Sequence, residues 1–138
     1  METGIKVYDA MSKGVMFVNT ESSLKECASM MLKEKIGSLV VKDGMDLVGI
    51  ITEKDLVRCL RDDNMNRKVR EVMTKNIKTI EPEKDIYEAF KMMGEENVRK
   101  LPVVDKGKLI GFLTEKDILK IAPSLLDLFS EKLLVRGD

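Results

Sequence analysis

The chain has 138 residues, of which 43% are apolar, 35% charged and 4% aromatic, and this length fits one compact domain or two small units that share a core. Lys+Arg and Asp+Glu number 24 each, so the charge balance does not indicate a protein that binds duplex DNA. Because histidine is absent, the sequence excludes a Ser-His-Asp or Cys-His nucleophile, an imidazole general base and a histidine-ligated zinc ion.

The two cysteines, Cys27 and Cys59, are far apart in the sequence and have no CxxC spacing. We interpret them as small buried apolar residues of a reducing compartment, with no role in a disulfide or a metal site. The sequence has no apolar run of about 18 residues, and its first eleven residues lack the basic-then-apolar pattern of a signal peptide. We therefore expect a cytoplasmic protein with no membrane segment and no metal.

An internal repeat organises the chain. Residues 7–11 align with residues 69–73 at an offset of about 62 residues, and the same offset continues without a gap. It ends where Thr52-Glu-Lys-Asp55 matches Thr114-Glu-Lys-Asp117 letter for letter. We assign residues 1–61 to repeat one, 62–68 to a polar linker, 69–121 to repeat two and 122–138 to a C-terminal helical tail.

Each repeat predicts the same order of elements. A short extended piece (15–18 and 77–80) precedes a capping box that begins at Ser23 or Asp85. The helix that follows places apolar residues at i, i+3, i+4 and i+7, which gives it one apolar stripe. Two β-branched runs joined by turn residues then indicate a β-hairpin, and a last helix begins near Glu53 or Glu115. The hairpin strands are predicted at 38–41 and 47–51, and at 101–104 and 109–113.

Two further features stand outside this plain pattern. Gly49 and Gly111 lie inside the second strand of each hairpin, where a glycine indicates the close approach of another backbone or of a ligand. The tail places Leu125, Leu128, Phe129 and Leu133 close to amphipathic spacing. We expect this stripe to pack back on the body or to pair with a second subunit.

The repeated pattern resembles the CBS domain, of which a tandem pair is called a Bateman module. The resemblance covers residues 5–121, with Met11 or Met73 near the start of each repeat. It is carried most strongly by Gly-Ile-Ile-Thr-Glu-Lys-Asp at 49–55 and Gly-Phe-Leu-Thr-Glu-Lys-Asp at 111–117. It implies an α/β (α+β) fold of two strand-helix-strand-strand-helix repeats packed with pseudo-two-fold symmetry. It also implies two clefts that hold AMP, ADP, ATP or S-adenosylmethionine.

The same resemblance implies which residues line the clefts. The Asp of Thr-x-x-Asp would bind the ribose hydroxyls, the Thr would approach the ribose or phosphate, and the segments before the hairpin and at the early extended piece would flank the adenine. The repeat-one cleft would then contain Val15, Met16, Ile36, Gly37, Ser38, Thr52 and Asp55. The repeat-two cleft would contain Ile77, Lys78, Thr79, Val98, Arg99, Lys100, Pro102, Thr114 and Asp117.

The chemistry of these residues fits such a ligand, although a structural role is open as well. A carboxylate accepts two hydrogen bonds from a vicinal diol, and the amides of a helix N-terminus attract phosphate. Thr-x-x-Asp is also a capping box that needs no ligand. Because Arg99-Lys100 replaces Gly37-Ser38, we expect the Asp117 cleft to be the better site for phosphorylated nucleotides. The alternative is that both cations are ordinary solvated charges.

Three functions compete. The first is a sensory module that binds an adenosine ligand, requires no cofactor and signals to an effector protein in trans, with a homodimer as the expected assembly. The second is a structural dimerisation or protein-interaction module in which one or both clefts bind no nucleotide. The third, an enzyme, is disfavoured because the sequence contains neither Gly-x-Gly-x-x-Gly nor Gly-x-x-x-x-Gly-Lys-[Ser/Thr] and has no histidine base.

Overall fold

The structure, a computed structural model, describes residues 2–14 and 16–125. These residues form short and long helices and five strands, in an order that repeats once along the chain. The elements are α1 (Val7–Ala10), β1 (Phe17–Asn19), α2 (Leu24–Glu34), β2 (Ser38–Asp43), β3 (Asp46–Thr52), α3 (Glu53–Arg61), α4 (Val69–Val72), α5 (Ile86–Glu96), β4 (Lys100–Asp105), β5 (Lys108–Thr114), α6 (Glu115–Ile121) and a 3-10 turn (Pro123–Leu125). The predicted α/β fold class is confirmed.

The chain divides into two compact units whose boundaries differ from those of the sequence repeats. Unit 1 comprises residues 1–14 together with 78–138, and unit 2 comprises residues 15–77. The first helix of repeat one, α1, therefore belongs to the unit that contains most of repeat two. Conversely, α4 opens repeat two in the sequence but belongs to unit 2.

Matching hydrogen bonds attach these exchanged helices. In unit 1 the Val7 N–H donates to the Lys84 carbonyl at 2.8 Å, and the Tyr8 N–H donates to the Pro82 carbonyl at 3.0 Å. In unit 2 the Val69 N–H donates to the Ser22 carbonyl at 3.0 Å, and the Arg70 N–H donates to the Thr20 carbonyl at 3.1 Å. The two sets occupy equivalent repeat positions, so the exchange is a regular feature of the duplication.

In unit 2, β1 pairs with β2 in parallel, and β2 pairs with β3 in an antiparallel hairpin. The observed β1 begins two residues later than the predicted extended piece. Both cysteines belong to the buried core of this unit, as expected. The core comprises Val18, Leu24, Cys27, Met31, Leu39, Val41, Ile51, Cys59 and Val69.

In unit 1, β4 and β5 form the second antiparallel hairpin. The predicted extended piece at 77–80 does not become a strand, since only Ile80 forms an isolated bridge, with Val103. The physical reason is Pro102, which lies where β2 has Val40, the partner of Phe17. Proline has no N–H to donate to a ladder.

The predicted capping boxes have different outcomes. Ser23 caps α2 reciprocally with Glu26, as expected. The prediction for Asp85 and Glu88 is wrong, because the Asp85 carboxylate accepts instead from the Tyr87 N–H at 2.8 Å. The same carboxylate accepts from the N–H of Thr3 at 3.0 Å and from its hydroxyl at 2.8 Å, so it ties the N-terminal segment to α5.

The two strand glycines are explained by protein contacts. A Cβ at Gly111 would lie 2.6 Å from Met11 Sδ and 2.8 Å from the Ser12 carbonyl oxygen. A Cβ at Gly49 would collide in the same way with Met73. The expected approach of another backbone is therefore found at Gly111, where Ser12 makes it, whereas the neighbour of Gly49 is the Met73 side chain rather than a backbone or a ligand.

The start of the predicted tail is buried in unit 1. Ala122 and Leu125 belong to its core, and Leu125 is 0% exposed. Leu128, Phe129 and Leu133, also part of the predicted tail, lie outside the described residues. Within the described part of the chain, no helix has both the length and the apolar character needed to span a bilayer.

Candidate functional site

The first candidate site lies where β3 passes into α3. Thr52 is the N-cap of α3, and its hydroxyl accepts from the Asp55 N–H at 3.3 Å. The Asp55 Oδ2 atom accepts from the Thr52 N–H at 2.9 Å and from the Thr52 hydroxyl at 3.1 Å. Thr-x-x-Asp therefore forms the reciprocal capping box that the sequence allowed, and it holds the carboxylate at the helix N-terminus.

The second candidate site repeats this geometry where β5 passes into α6. The Thr114 hydroxyl accepts from the Asp117 N–H at 3.1 Å, and Asp117 Oδ2 accepts from the Thr114 N–H at 2.9 Å. Asp117 is partly exposed, whereas Asp55 is buried. The carboxylate in unit 1 is thus more open to solvent than its counterpart in unit 2.

The loop before each hairpin lies against the same helix start. The Gly37 carbonyl accepts from the Glu53 N–H, and the Arg99 carbonyl accepts from the Glu115 N–H, both at 3.1 Å. One residue later, Ser38 pairs with Thr52 and Lys100 pairs with Thr114 across the two hairpins. The structure therefore brings the predicted pre-hairpin residues next to the Thr-x-x-Asp segment in each unit.

The two sites differ in charge. In unit 2 the loop has uncharged Gly37 and Ser38, and a Cβ at Gly37 would lie 2.9 Å from Glu53 Oε1. Glu115 holds the position of Glu53 in unit 1, so both helix starts carry a glutamate. In unit 1 the equivalent loop presents Arg99 and Lys100, both exposed. The unit 1 site therefore carries two cationic side chains at positions where the unit 2 site has none.

The predicted early-segment residues lie along the long helices. Met16 lines a groove of about 480 Å³ beside α2, together with Ser23 and Met30. Lys78 lines a groove of about 350 Å³ beside α5, and its Nζ lies 3.4 Å from Glu96 Oε1. These are equivalent positions of the two repeats, and a cation replaces an apolar side chain in unit 1.

The other predicted residues have distinct positions. Ile36 and Val98 follow the left-handed caps of α2 and α5, and each donates its N–H to a carbonyl of the preceding helix. Pro102 is buried in β4, and its carbonyl accepts from the Ile80 N–H at 3.0 Å. Thr79 is half-buried, Ile77 belongs to unit 2, and Val15 lies outside the described residues.

Sequence reasoning missed one residue of the unit 2 site. Arg58, one turn into α3, places its guanidinium Nη1 3.2 Å from Asp55 Oδ1. The available signal was its spacing, because an arginine three residues after an aspartate shares its helix face. Among residues 2–14 and 16–125, no cluster of three His, Cys, Asp or Glu side chains suits a metal ion.

The comparison with protein families explains the duplication. The CBS domain model matches this chain twice in tandem, over residues 7–62 and 69–124. The chain belongs to the CBS domain family. The resemblance drawn from Gly49–Asp55 and Gly111–Asp117 is therefore confirmed.

Two curated relatives of this CBS chain are longer proteins than the chain itself. It is 38% identical over 118 residues to the uncharacterized protein MJ1232 of Methanocaldococcus jannaschii, covering 85% of this chain and 39% of that protein. It is 37% identical over 107 residues to the inosine-5'-monophosphate dehydrogenase of Korarchaeum cryptofilum, covering 77% of this chain and 22% of the dehydrogenase. The chain thus spans less than half the length of both relatives.

A solved structure matches the fold over most of both chains. The CBS domain pair of protein MJ0100, crystallised in complex with 5'-methylthioadenosine and S-adenosyl-L-methionine, has a TM-score of 0.77 and 28% sequence identity. The match covers 87% of this chain and 97% of that one. The neighbour is thus a tandem CBS pair that binds two adenosine compounds.

Proposed function

We propose that this chain is a non-catalytic regulatory module of the cytoplasm that binds adenosine-containing ligands and signals to an effector protein in trans. The candidate ligands are AMP, ADP, ATP and S-adenosylmethionine. The observation that carries the proposal is the Asp117 carboxylate, which the Thr114 capping box holds through Oδ2 at a helix start. Among the described residues, Oδ1 of Asp117 accepts no hydrogen bond.

An open carboxylate oxygen at this position suits a ribose. Its two hydroxyl groups donate hydrogen bonds, and an ionised carboxylate is an acceptor with about four lone-pair sites. The capping box fixes the rotamer of Asp117 before any ligand arrives, which reduces the entropy cost of binding. The adenosine compounds held by the CBS pair of MJ0100 support this class of ligand.

The charge pattern supports a preference between the two sites. Arg99 and Lys100 belong to the loop at the unit 1 site, where they would offset the charge of a di- or triphosphate. The unit 2 site has uncharged Gly37 and Ser38 at the equivalent positions. Both helix starts carry a glutamate, Glu53 and Glu115, so the two cations make the difference. We therefore assign phosphorylated nucleotides to the Asp117 site and a less anionic ligand to the Asp55 site.

A thermal-shift series tests the proposal. AMP, ADP, ATP and S-adenosylmethionine are added to wild type, Asp117→Asn and the matched variant Asp55→Asn, which keep an amide oxygen for the cap. A ligand at about 100 times its dissociation constant should add roughly 2.7 kcal/mol, or several degrees. We expect the ADP shift to vanish in Asp117→Asn and to persist in Asp55→Asn. The absence of any shift at millimolar ligand would overturn the proposal.

A second proposal concerns self-association. A homodimer is expected both for the sensory module and for the alternative function, a structural dimerisation module. Leu32 on α2 and Val57 and Leu60 on α3 are 81%, 65% and 66% exposed. A mainly apolar groove of about 300 Å³ between these helices includes Leu32 and Val57 in its lining. Because exposed apolar patches mark interaction surfaces, we propose that two chains form a homodimer through this face of unit 2. If no adenosine ligand binds, dimerisation becomes the function that this surface favours.

A further inference from the structure

Both oxygens of the Asp55 carboxylate already accept hydrogen bonds within its own unit. Oδ2 accepts from the Thr52 N–H and hydroxyl. Oδ1 accepts from the Arg58 guanidinium at 3.2 Å, and the Asp55 side chain is only 7% exposed. A ribose hydroxyl that approaches Asp55 therefore meets a carboxylate whose outer oxygen already has a cationic donor.

Among residues 2–14 and 16–125, the Asp117 carboxylate has no such second partner. The residue equivalent to Arg58 is Lys120, which is exposed on the last turn of α6. Within the part of the chain that the structure describes, Asp117 forms no ion pair. Arginine presents a planar set of donors in fixed geometry, whereas a lysine ammonium is a strongly hydrated point charge. The same helix position thus engages the carboxylate in unit 2 and leaves it open in unit 1.

We propose that Arg58 is a specificity-determining residue that competes with the ribose hydroxyls for Asp55. This inference rests on the proposed function, because it takes adenosine compounds as the ligands. Arg58 lowers the affinity of the unit 2 site without closing it, since Asp55 retains further lone-pair sites. The two sites of one chain consequently bind at different ligand concentrations, and the Asp117 site is the first to fill.

The expected size of the effect follows from the exposure of the pair. The Arg58 side chain is 59% exposed, so water and salt weaken its attraction to the buried carboxylate. An ion pair of this kind changes a competing equilibrium by about two- to fivefold. The effect should shrink as the salt concentration rises.

Two substitutions test the inference by titration calorimetry. Each gives one site the residue that the other site has at the same helix position. The probe is adenosine, which carries no charge and so responds little to a change in net charge. In an Asp117→Asn background, which isolates the unit 2 site, Arg58→Lys should tighten adenosine binding about two- to fivefold. In an Asp55→Asn background, which isolates the unit 1 site, Lys120→Arg should weaken binding by the same factor. Both substituted positions are exposed, so the melting temperature should change little.

The outcomes separate this inference from the proposed function. The proposed function is judged on the wild-type chain and on the loss of binding in Asp117→Asn. The role of Arg58 is judged only on the difference that Arg58→Lys makes at the unit 2 site. Unchanged or weaker adenosine binding after Arg58→Lys overturns that role, as does the absence of binding with both arginine and lysine. A gain that persists unaltered in high salt overturns it too, because a competing ion pair is screened.

Discussion

The side chain of Met73 occupies the space that a Cβ atom on Gly49 would need. Met73 Cγ lies 2.8 Å and Met73 Cβ lies 3.1 Å from that position. Met73 caps the end of α4, and Gly49 lies in β3 of the same unit. The repeated methionine and the repeated strand glycine are therefore two halves of one packing contact, by which an exchanged helix sits on its hairpin.

Replacing this glycine should destabilise the protein. We expect Gly49→Ala to lower the free energy of unfolding by about 1–3 kcal/mol, because the new methyl group overpacks a contact whose nearest atoms include Met73 Cβ. The measurement is urea denaturation followed by circular dichroism. Gly14→Ala is the control, since no described residue other than its chain neighbours comes within 4 Å of its Cβ position, and its effect should stay within about 0.5 kcal/mol. Equal effects of the two substitutions would contradict the packing account.

Local patterns in the sequence predicted most elements, because a capping box, an apolar stripe and a turn each depend on nearby residues. The exchange of α1 and α4 between the compact units was not predictable in this way. It depends on bonds such as Val7 to Lys84, which join residues far apart in the chain. The extended piece at 77–80 also did not become a strand. Pro102 has no N–H to donate to this piece, and a pattern read within residues 77–80 does not include that partner.

In the candidate site, too, some features were predictable from local sequence and others were not. Thr52 with Asp55 and Thr114 with Asp117 were predicted from spacing, and the capping boxes exist. The ion pair of Asp55 with Arg58 was missed, because its formation depends on a side-chain rotamer that spacing alone does not fix. Which ligand the sites bind stays a prediction, since a capping box needs no ligand.

Acid should weaken the attachment of the N-terminal segment through Asp85. Burial raises the pKa of this carboxyl, but hydrogen bonds from Tyr87, Thr3 and Gly4 outweigh it and hold the pKa below its ordinary value. A depressed folded-state pKa contributes stability above the unfolded-state pKa of about 3.9. That stability is lost as the pH falls from there through the folded-state pKa.

The variant Asp85→Asn measures this contribution. At pH 7 it should lower the free energy of unfolding by about 1 kcal/mol, as expected for a weakened helix cap. The difference from wild type should shrink as the pH is lowered from about 5 to about 2 in urea denaturation. Glu88→Gln is the control, because Glu88 is exposed and lies outside the cap. A difference that stays constant with pH would contradict the assigned role.

The thiol of Cys27 should be unreactive in the folded protein. Burial, with a smaller contribution from Glu26, raises its pKa to about 11, so little thiolate exists at pH 8. We expect iodoacetamide to label neither Cys27 nor Cys59 at an appreciable rate until the protein is unfolded in urea, since both are buried. Ser29→Cys, exposed on the same helix as Cys27, is the positive control. Fast native labelling of Cys27, identified by peptide mass spectrometry, would refute this expectation.

If two chains associate through the exposed apolar face of α2 and α3, a charge placed on that face should halve the mass of the particle in solution. Leu60→Glu places a charge on the exposed apolar surface of α3, next to Val57, where burial against a second chain would cost several kcal/mol if the charge were left unpaired. Light scattering coupled to size exclusion should therefore show the dimer of the wild type shifting to a monomer. Met45→Glu, at a 63% exposed apolar residue of the first hairpin turn, should leave the dimer intact. A dimer that survives Leu60→Glu but dissociates with Met45→Glu would move the interface from the helices to the hairpin.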